Sequence, residues 1–242
     1  MKEVKLTIVK NIPLSSDIYL MELNGDLSEI KAPGEFVEVK IPNYYLRRPI
    51  SVHRYSQNSL ELLYKVLGHG TKDMTSYPVG MTLDCLVGLG NGFDITLSKK
   101  PLLVAGGIGI APLVGLAESF NSVGIKPTIL FGAANKDGLV LIKELEKLGK
   151  VILCTDDGSA GYKGNTVNYL KEHKVDFDYY YACGPQVMLK YLKQYSDKGC
   201  LSLEARMGCG FGACMGCSIE TVNGPKRVCK EGPVFEASEV LL

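Results

Sequence analysis

Four cysteines crowd into the last 34 residues (209–242) of a 242-residue chain: Cys209, Cys214, Cys217 and Cys229, spaced C-x4-C-x2-C-x11-C. Three thiols in one tight loop with a fourth further along is the plant-type pattern of 2Fe–2S ligation. Gly208, Gly210, Gly212 and Gly216 let the backbone curl around such a centre and bring amide N–H groups close to its sulfurs. A structural zinc site commonly shows two C-x2-C knuckles, and only one is present here. The segment is too short to bury much of a core, so a metal centre is its expected staple. Disulfides are not expected, because a chain this long and this apolar needs no such scaffold. Cys85, Cys154 and Cys200 each stand alone in an apolar, strand-like run and read as buried structural thiols.

Ahead of the cysteines the hydrophobic pattern changes once. Residues 1–98 are a succession of short, β-branched, partly alternating runs at 4–9, 18–23, 36–41, 60–66 and 82–89. Asn24-Gly25, Pro33-Gly34 and Val79-Gly80 separate them as turns. This spacing predicts an antiparallel Greek-key barrel. Residues 99–202 alternate strand and helix: strands at 102–105, 128–131, 151–154 and 179–182, helices at 111–120, 139–148 and 187–195. That order predicts a parallel-sheet α/β domain with ligand sites at the carboxyl ends of its strands. The fold class is therefore α/β plus β, in three parts: a barrel over 1–98, a nucleotide-binding α/β domain over 99–202 and an iron–sulfur domain over 203–242.

Two turns in the α/β part could carry chemistry. Gly106-Gly107-Ile108-Gly109-Ile110-Ala111-Pro112 follows a strand and opens a helix, where glycines admit a phosphate and the helix start offers free N–H donors. A G-x-G loop alone fits a structural turn equally well; its strand–loop–helix context favours a nucleotide. Cys183-Gly184-Pro185 also joins a strand to a helix, and Asp156-Asp157-Gly158 ends another strand, where an acid could meet a ribose or merely cap a loop. In the barrel, Arg47-Arg48-Pro49-Ile50-Ser51 could bind a diphosphate and a flavin edge, or be a strand with two solvated arginines. Gly68-His69-Gly70-Thr71 precedes a short helix expected at 72–77 and could hold a phosphate. His53 and His69 lack metal-ligand spacing and read as ordinary polar residues, with His69 able to line a nucleotide.

Composition excludes several classes. The formal net charge is +1, from 27 basic and 26 acidic residues, so there is no electrostatic footprint for nucleic acid or an anionic membrane. The apolar run 101–117 holds two prolines and four glycines, which suits a strand, turn and helix better than a membrane span. No signal-peptide core opens the sequence. The expectation is a soluble, cytoplasmic protein.

Arg48-Pro49-Ile50-Ser51, Gly70-Thr71, the Gly106–Pro112 loop, Cys183-Gly184-Pro185 and the four-cysteine loop occur in one order, which resembles the ferredoxin–NADP reductase superfamily. More closely, all three parts look like the electron-transfer subunits of NAD-linked dihydroorotate dehydrogenases. The resemblance implies FAD, a 2Fe–2S cluster and NAD as cofactors. Arg48 would bind the FAD diphosphate together with Gly70 and Thr71. Ser51 would sit near flavin N5, and Leu63, Tyr64 and Lys65 would line the flavin. Gly107 and Gly109 would flank the NAD phosphates, Cys183, followed by Gly184, would face the nicotinamide, and Glu204 would stand near that contact. Many superfamily members carry an aromatic residue where Ile50 stands, which puts ring stacking there in doubt.

The resemblance further implies an oxidoreductase subunit of pyrimidine biosynthesis that needs a partner. The partner would be an FMN-containing catalytic subunit in a heterotetramer with two of each. No basic pair follows the strand ending at Phe131, which favours NAD over NADP. Flavin belongs between the other two centres, because nicotinamide exchanges a hydride and a 2Fe–2S centre one electron. The related flavin/iron–sulfur subunits of NADH-dependent ferredoxin–NADP oxidoreductases and sulfide dehydrogenases are the rival, although there one ligand is commonly Asp. A zinc-stabilised nucleotide sensor is the non-enzymatic rival.

Overall fold

The structure is a computed structural model describing all 242 residues. Six strands, β1 Lys2–Pro13, β2 Ile18–Asn24, β3 Phe36–Val39, β4 Arg48–Tyr55, β5 Ser59–Lys65 and β6 Thr82–Leu89, close an antiparallel barrel in the order β1-β2-β5-β4-β3-β6. Burial alternates along β6, so Leu83, Cys85 and Val87 point inward, as period-two pleating requires. They meet Leu6, Val37, Leu62 and Tyr64 in the barrel core.

Strand β4 is the barrel strand that the hydrophobic pattern does not announce. Its first residues are Arg48 and Pro49, and a proline so near a strand's start forfeits little of the ladder. Helix α1, His69–Met74, begins before the expected 72. The Thr71 hydroxyl accepts from the N–H groups of Leu67 and Gly68 at 3.0 and 3.2 Å, which fixes the earlier start.

The second half alternates as expected: β7 Pro101–Gly106, α2 Ile110–Ser122, β8 Thr128–Ala133, α3 Ile142–Leu148, β9 Lys150–Thr155, β10 Tyr162–Lys163, α4 Thr166–Glu172, β11 Tyr179–Cys183, α5 Gln186–Tyr195 and β12 Gly199–Ser202. These strands are parallel, and β7 at the centre is buried along its whole length. Helix α3 starts later than 139 because Leu141, at φ 62°, sits in the left-handed region just before it. Short β10, α4 and β12 are additions to the sequence reading. Too few residues carry them to show a period.

Residues beyond 203 form the small hairpin β13 Ser218–Ile219 with β14 Lys226–Arg227, and then β15 Val234–Glu236. Strand β15 pairs antiparallel with β12 and completes a seven-stranded sheet in the order β10-β9-β8-β7-β11-β12-β15. Cys217, Val228, Cys229 and Phe235 share a core with Leu102, Val104, Tyr180 and Leu189 of the sheet and its helices. The Asn91 side chain, at the end of the barrel, donates to the carbonyls of Glu231 and Val234 and accepts from Val234 N–H at 2.9 Å. The cysteine segment is thus held by the sheet as well as by any metal.

Barrel and sheet are clamped where β4 meets α2. The Arg54 guanidinium reaches Glu61 of the barrel at 3.3 Å, Glu118 of α2 at 2.6 Å and Glu144 of α3 at 3.0 Å. His53 is fully buried beside it, with Nδ1 2.8 Å from the Ala111 carbonyl oxygen and Nε2 without a hydrogen bond, 4.0 Å from the Glu61 carboxylate. Burial holds this imidazole down to about 4, from an ordinary 6.5. As pH falls below 6.5 the unfolded chain takes up the proton first, so the contribution present above 6.5 is lost between 6.5 and 4. The slope reaches about 1.4 kcal/mol per pH unit. In urea unfolding between pH 7 and pH 5, the wild-type chain is expected to lose stability more steeply than a His53→Gln variant. Parallel pH profiles would refute this.

All eight cysteines are free, and Cys85, Cys154 and Cys200 are buried as expected. No helix is long and apolar enough to cross a membrane.

Candidate functional site: a shared cleft beside the cysteine loop

Leaving β7 the chain turns to β8 on one side, and it returns as β11 on the other, so the order of strands reverses between β7 and β11. Ligands bind at the carboxyl ends of strands at such a switch point. Both suspected turns stand there. A Cβ on Gly109 would lie 2.2 Å from the Cys183 carbonyl oxygen, and one on Gly184 would lie 2.9 Å from the backbone N of Gly106. These glycines let the two turns cross in contact. Gly107 differs: at φ 55° it has nothing within 4 Å of a Cβ position. It opens on a cavity of about 650 Å³ that Asp156, Thr166 and Lys171 also line.

A second cleft of about 480 Å³ lies between barrel and sheet. It collects the expected barrel residues Arg48, Pro49, Ile50, Ser51, Leu63, Tyr64, Lys65, Gly70 and Thr71. Cys183 and Glu204 face them from the other side. Alternation along β5 divides the strand: Leu63 packs toward α2, while the Tyr64 ring lies in the barrel core with its hydroxyl donating to Asn11 at 3.1 Å. Tyr64 therefore has mainly backbone to offer the cleft.

Arg48 is half-buried. It crosses the Tyr44 ring at 5.1 Å and donates to the Leu46 carbonyl at 2.5 Å. A Cβ on Gly70 would come within 3.1 Å of Arg48 Nε, so the glycine makes room for the guanidinium. Arg47 instead points away, bonding Glu3 and the Asp84 carbonyl. Only one of the paired arginines lines the cleft.

Burial pushes the Cys183 thiol up to about 12, with Ser202 pulling the other way, so it is a neutral wall group and not a thiolate. His69 also lines the cleft. Phe36, Tyr44, Ala205, Met207 and Pro233 also line the cleft, and no motif marks them as site residues. They are apolar or aromatic residues in ordinary strand and loop settings, and only the tertiary fold brings them together.

The segment through Leu203, Glu204, Ala205 and Met207 runs directly from the cleft wall into the cysteine loop. There the N–H groups of Ala213 and Cys214 point at Cys209 Sγ from 3.2 and 3.4 Å, Gly216 N–H at Cys214 Sγ from 3.5 Å, and Cys229 N–H at Cys217 Sγ from 3.4 Å. Burial alone would raise the Cys209 thiol. The N–H groups of Cys214, Phe211 and Ala213 outweigh it and bring the thiol down to about 6. Cys229 behaves oppositely, burial and its neighbour Cys217 pushing its thiol up to about 12. Backbone donors aimed at the sulfurs suit an anionic centre.

The thiols also approach in two pairs, Cys209 with Cys214 and Cys217 with Cys229. Two pairs suit two irons. The Arg227 guanidinium steadies the loop by donating to the Gly212 carbonyl at 2.5 Å while paired with Glu231.

Barrel, switch-point sheet and cysteine tail together define a reductase of the ferredoxin–NADP reductase fold with an iron–sulfur appendage. The family model for the iron–sulfur cluster binding domain of dihydroorotate dehydrogenase B matches residues 204–241. The chain is 41% identical over 256 aligned positions to the dihydroorotate dehydrogenase B (NAD⁺) electron transfer subunit of Geobacillus sp. (strain WCH70), covering 100% of both. It is 40% identical to the subunit of the same description from Enterococcus faecalis (strain ATCC 700802 / V583), covering 100% of this chain and 99% of the relative. The chain belongs to this family of electron transfer subunits.

Among solved structures, it resembles that of an NADH-dependent reduced ferredoxin–NADP oxidoreductase. The TM-score is 0.88 at 28% identity, over 98% of this chain and 89% of the other. A ferredoxin–NADP⁺ reductase from Neisseria gonorrhoeae shares the fold at a TM-score of 0.69 and 16% identity, over 80% and 90% of the two chains.

Proposed function

We propose that the chain is the electron-transfer subunit of an NAD⁺-linked dihydroorotate dehydrogenase. It links dihydroorotate oxidation in an FMN-containing partner to NAD⁺ reduction in pyrimidine biosynthesis. The observation that carries this reading is the single cleft shared by barrel, sheet turns and the strand of chain that enters the cysteine loop. FAD bound there would exchange a hydride with nicotinamide and single electrons with a 2Fe–2S cluster.

The residues supply binding and orientation. Arg48, with Gly70 and Thr71 beside it, presents a cation and backbone donors to a diphosphate. Pro49, Ile50 and Ser51 form one wall and Leu63, Tyr64 and Lys65 another, with Ser51 placed to donate to the flavin edge. Gly107 leaves open space for the nucleotide phosphates, while Gly109 and Gly184 keep the turn closed behind it. Cys183, neutral and small, allows a flat ring to lie against it. Cys209, Cys214, Cys217 and Cys229 hold the irons. Asp156, at the mouth of the second cavity, suits a ribose bearing a free 2′-hydroxyl and so favours NAD.

Arg48→Ala is expected to weaken FAD binding by about tenfold to a hundredfold, the loss of one or two charge-assisted hydrogen bonds. Flavin retention on desalting and fluorescence titration of the apoprotein check it. Unchanged FAD affinity would remove Arg48 from the site.

The partner association is read as two copies of each subunit, and eight free thiols suit the reducing cytoplasm. Co-purification with the catalytic subunit, followed by assay with dihydroorotate and NAD⁺, tests the whole reading. The complex should reduce NAD⁺ and this chain alone should not. Strong activity without a partner, or a colourless zinc-containing protein, would overturn it. The rival ferredoxin–NADP oxidoreductase reading draws on a structural neighbour at lower identity than the full-length relatives and would show as ferredoxin-dependent turnover.

A further inference from the structure

Phe36 and Glu38 lie two residues apart on β3 and so share its outer face. Phe36 lines the shared cleft and packs in the same core as Cys217 and Cys229. Glu38 is 1% exposed, and neither of its carboxyl oxygens has a hydrogen-bond partner. It rests on the cysteine loop: a Cβ on Gly210, at φ 76° and next to Cys209, would lie 2.4 Å from Glu38 Oε1. The face of β3 therefore spans from the flavin cleft to the cluster loop, and it carries an unpaired acid at the loop end.

Stability does not explain that acid. A buried carboxylate without partners costs free energy that an apolar side chain of similar volume would not. The facing cations are committed elsewhere, Arg47 to Glu3 and the Asp84 carbonyl, Arg48 to the Leu46 carbonyl and the Tyr44 ring. They attract Glu38 without bonding it, so the acid stays buried and unpaired against the loop.

We propose that Glu38 sets the reduction potential of the cluster, its carboxylate placing a negative charge against the loop so that the irons accept an electron less readily and release it more readily toward the flavin. The inference rests on the relay reading above. Reduction adds one electron to the iron pair, with no bond made or broken, so a fixed charge beside the loop acts directly on that equilibrium. Short range in a low-dielectric setting makes the effect local. The flavin, beyond Phe36 and Arg48, is affected less.

The test is a redox titration of the assembled complex, reading the cluster by EPR and FAD by absorbance in one sample. Glu38→Gln removes the charge in nearly the same shape, and Glu38→Leu also removes the unpaired oxygens. In both variants the ratio of oxidised to reduced cluster at a fixed poise is expected to fall about tenfold, equivalent to about 59 mV for a one-electron couple. The FAD ratio should move much less.

A cluster ratio within about twofold of wild type in both variants would overturn the proposal. So would an equal shift of FAD, or loss of the cluster from both variants, which would make Glu38 part of the loop's scaffold. A wild-type complex lacking iron or flavin would instead sink the relay reading itself.

Discussion

Cys214→Ala is expected to abolish the visible absorption and EPR signal of the cluster and to leave FAD bound at wild-type stoichiometry. A four-thiolate centre cannot lose a ligand to a methyl group and keep its geometry. The cleft does not share that dependence. Cys214 is exposed, and neither it nor Cys209, Cys217 or Cys229 lines the cleft between barrel and sheet. Dihydroorotate-driven NAD⁺ reduction by the complex should fall to background, while NADH reduction of bound FAD followed by stopped flow persists. Loss of flavin with retention of iron would contradict the placement of the two sites.

The second large effect is expected at Gly109→Ala. The added Cβ would lie 2.2 Å from the Cys183 carbonyl oxygen, which is backbone and cannot rotate aside. One of the two crossing turns must shift. Overpacking of this kind costs about 1–3 kcal/mol, and a displacement of about 1 Å at a hydride-transfer site costs on the order of 100-fold in rate. NADH-to-FAD hydride transfer should slow by that order, with FAD content unchanged. A Gly107→Ala variant meets no protein atom within 4 Å, but it carries the strain of φ 55° and puts a methyl group into the space read as the phosphate site. It should therefore act mainly by weakening NADH binding, whereas Gly109→Ala slows the hydride step. Equal slowing of that step in both would mean that the loop's conformation, and not its contact with Cys183, governs the rate.

The main divisions were legible because each has its own period. Alternation reveals β6, and the strand–turn–helix sequence reveals β7 with α2. The cysteine spacing carries its chemistry without reference to the fold. Strand β4 stayed hidden because its charged and proline-bearing start interrupts the alternation, and that same irregularity puts Arg48 into the cleft.

Gly109 and Gly107 look alike in sequence and do different work, one packing against a neighbouring turn and one leaving space. Only the position of Cys183 separates them. Glu38 holds an outward position of the alternating run 36–41, where an acid would ordinarily be solvated, yet it is buried. Its setting appears only when residue 210, far along the chain, arrives beside it.

The Arg54 clamp bears on how a nicotinamide reaches its place. One guanidinium holds carboxylates from β5, α2 and α3 at once, and His53 is packed beneath it. Prying the two lobes apart would strand an arginine and several acids together. Entry and exit of the dinucleotide are therefore expected to proceed by small swings of rim side chains and not by opening of the lobes, with turnover responding little to solvent viscosity.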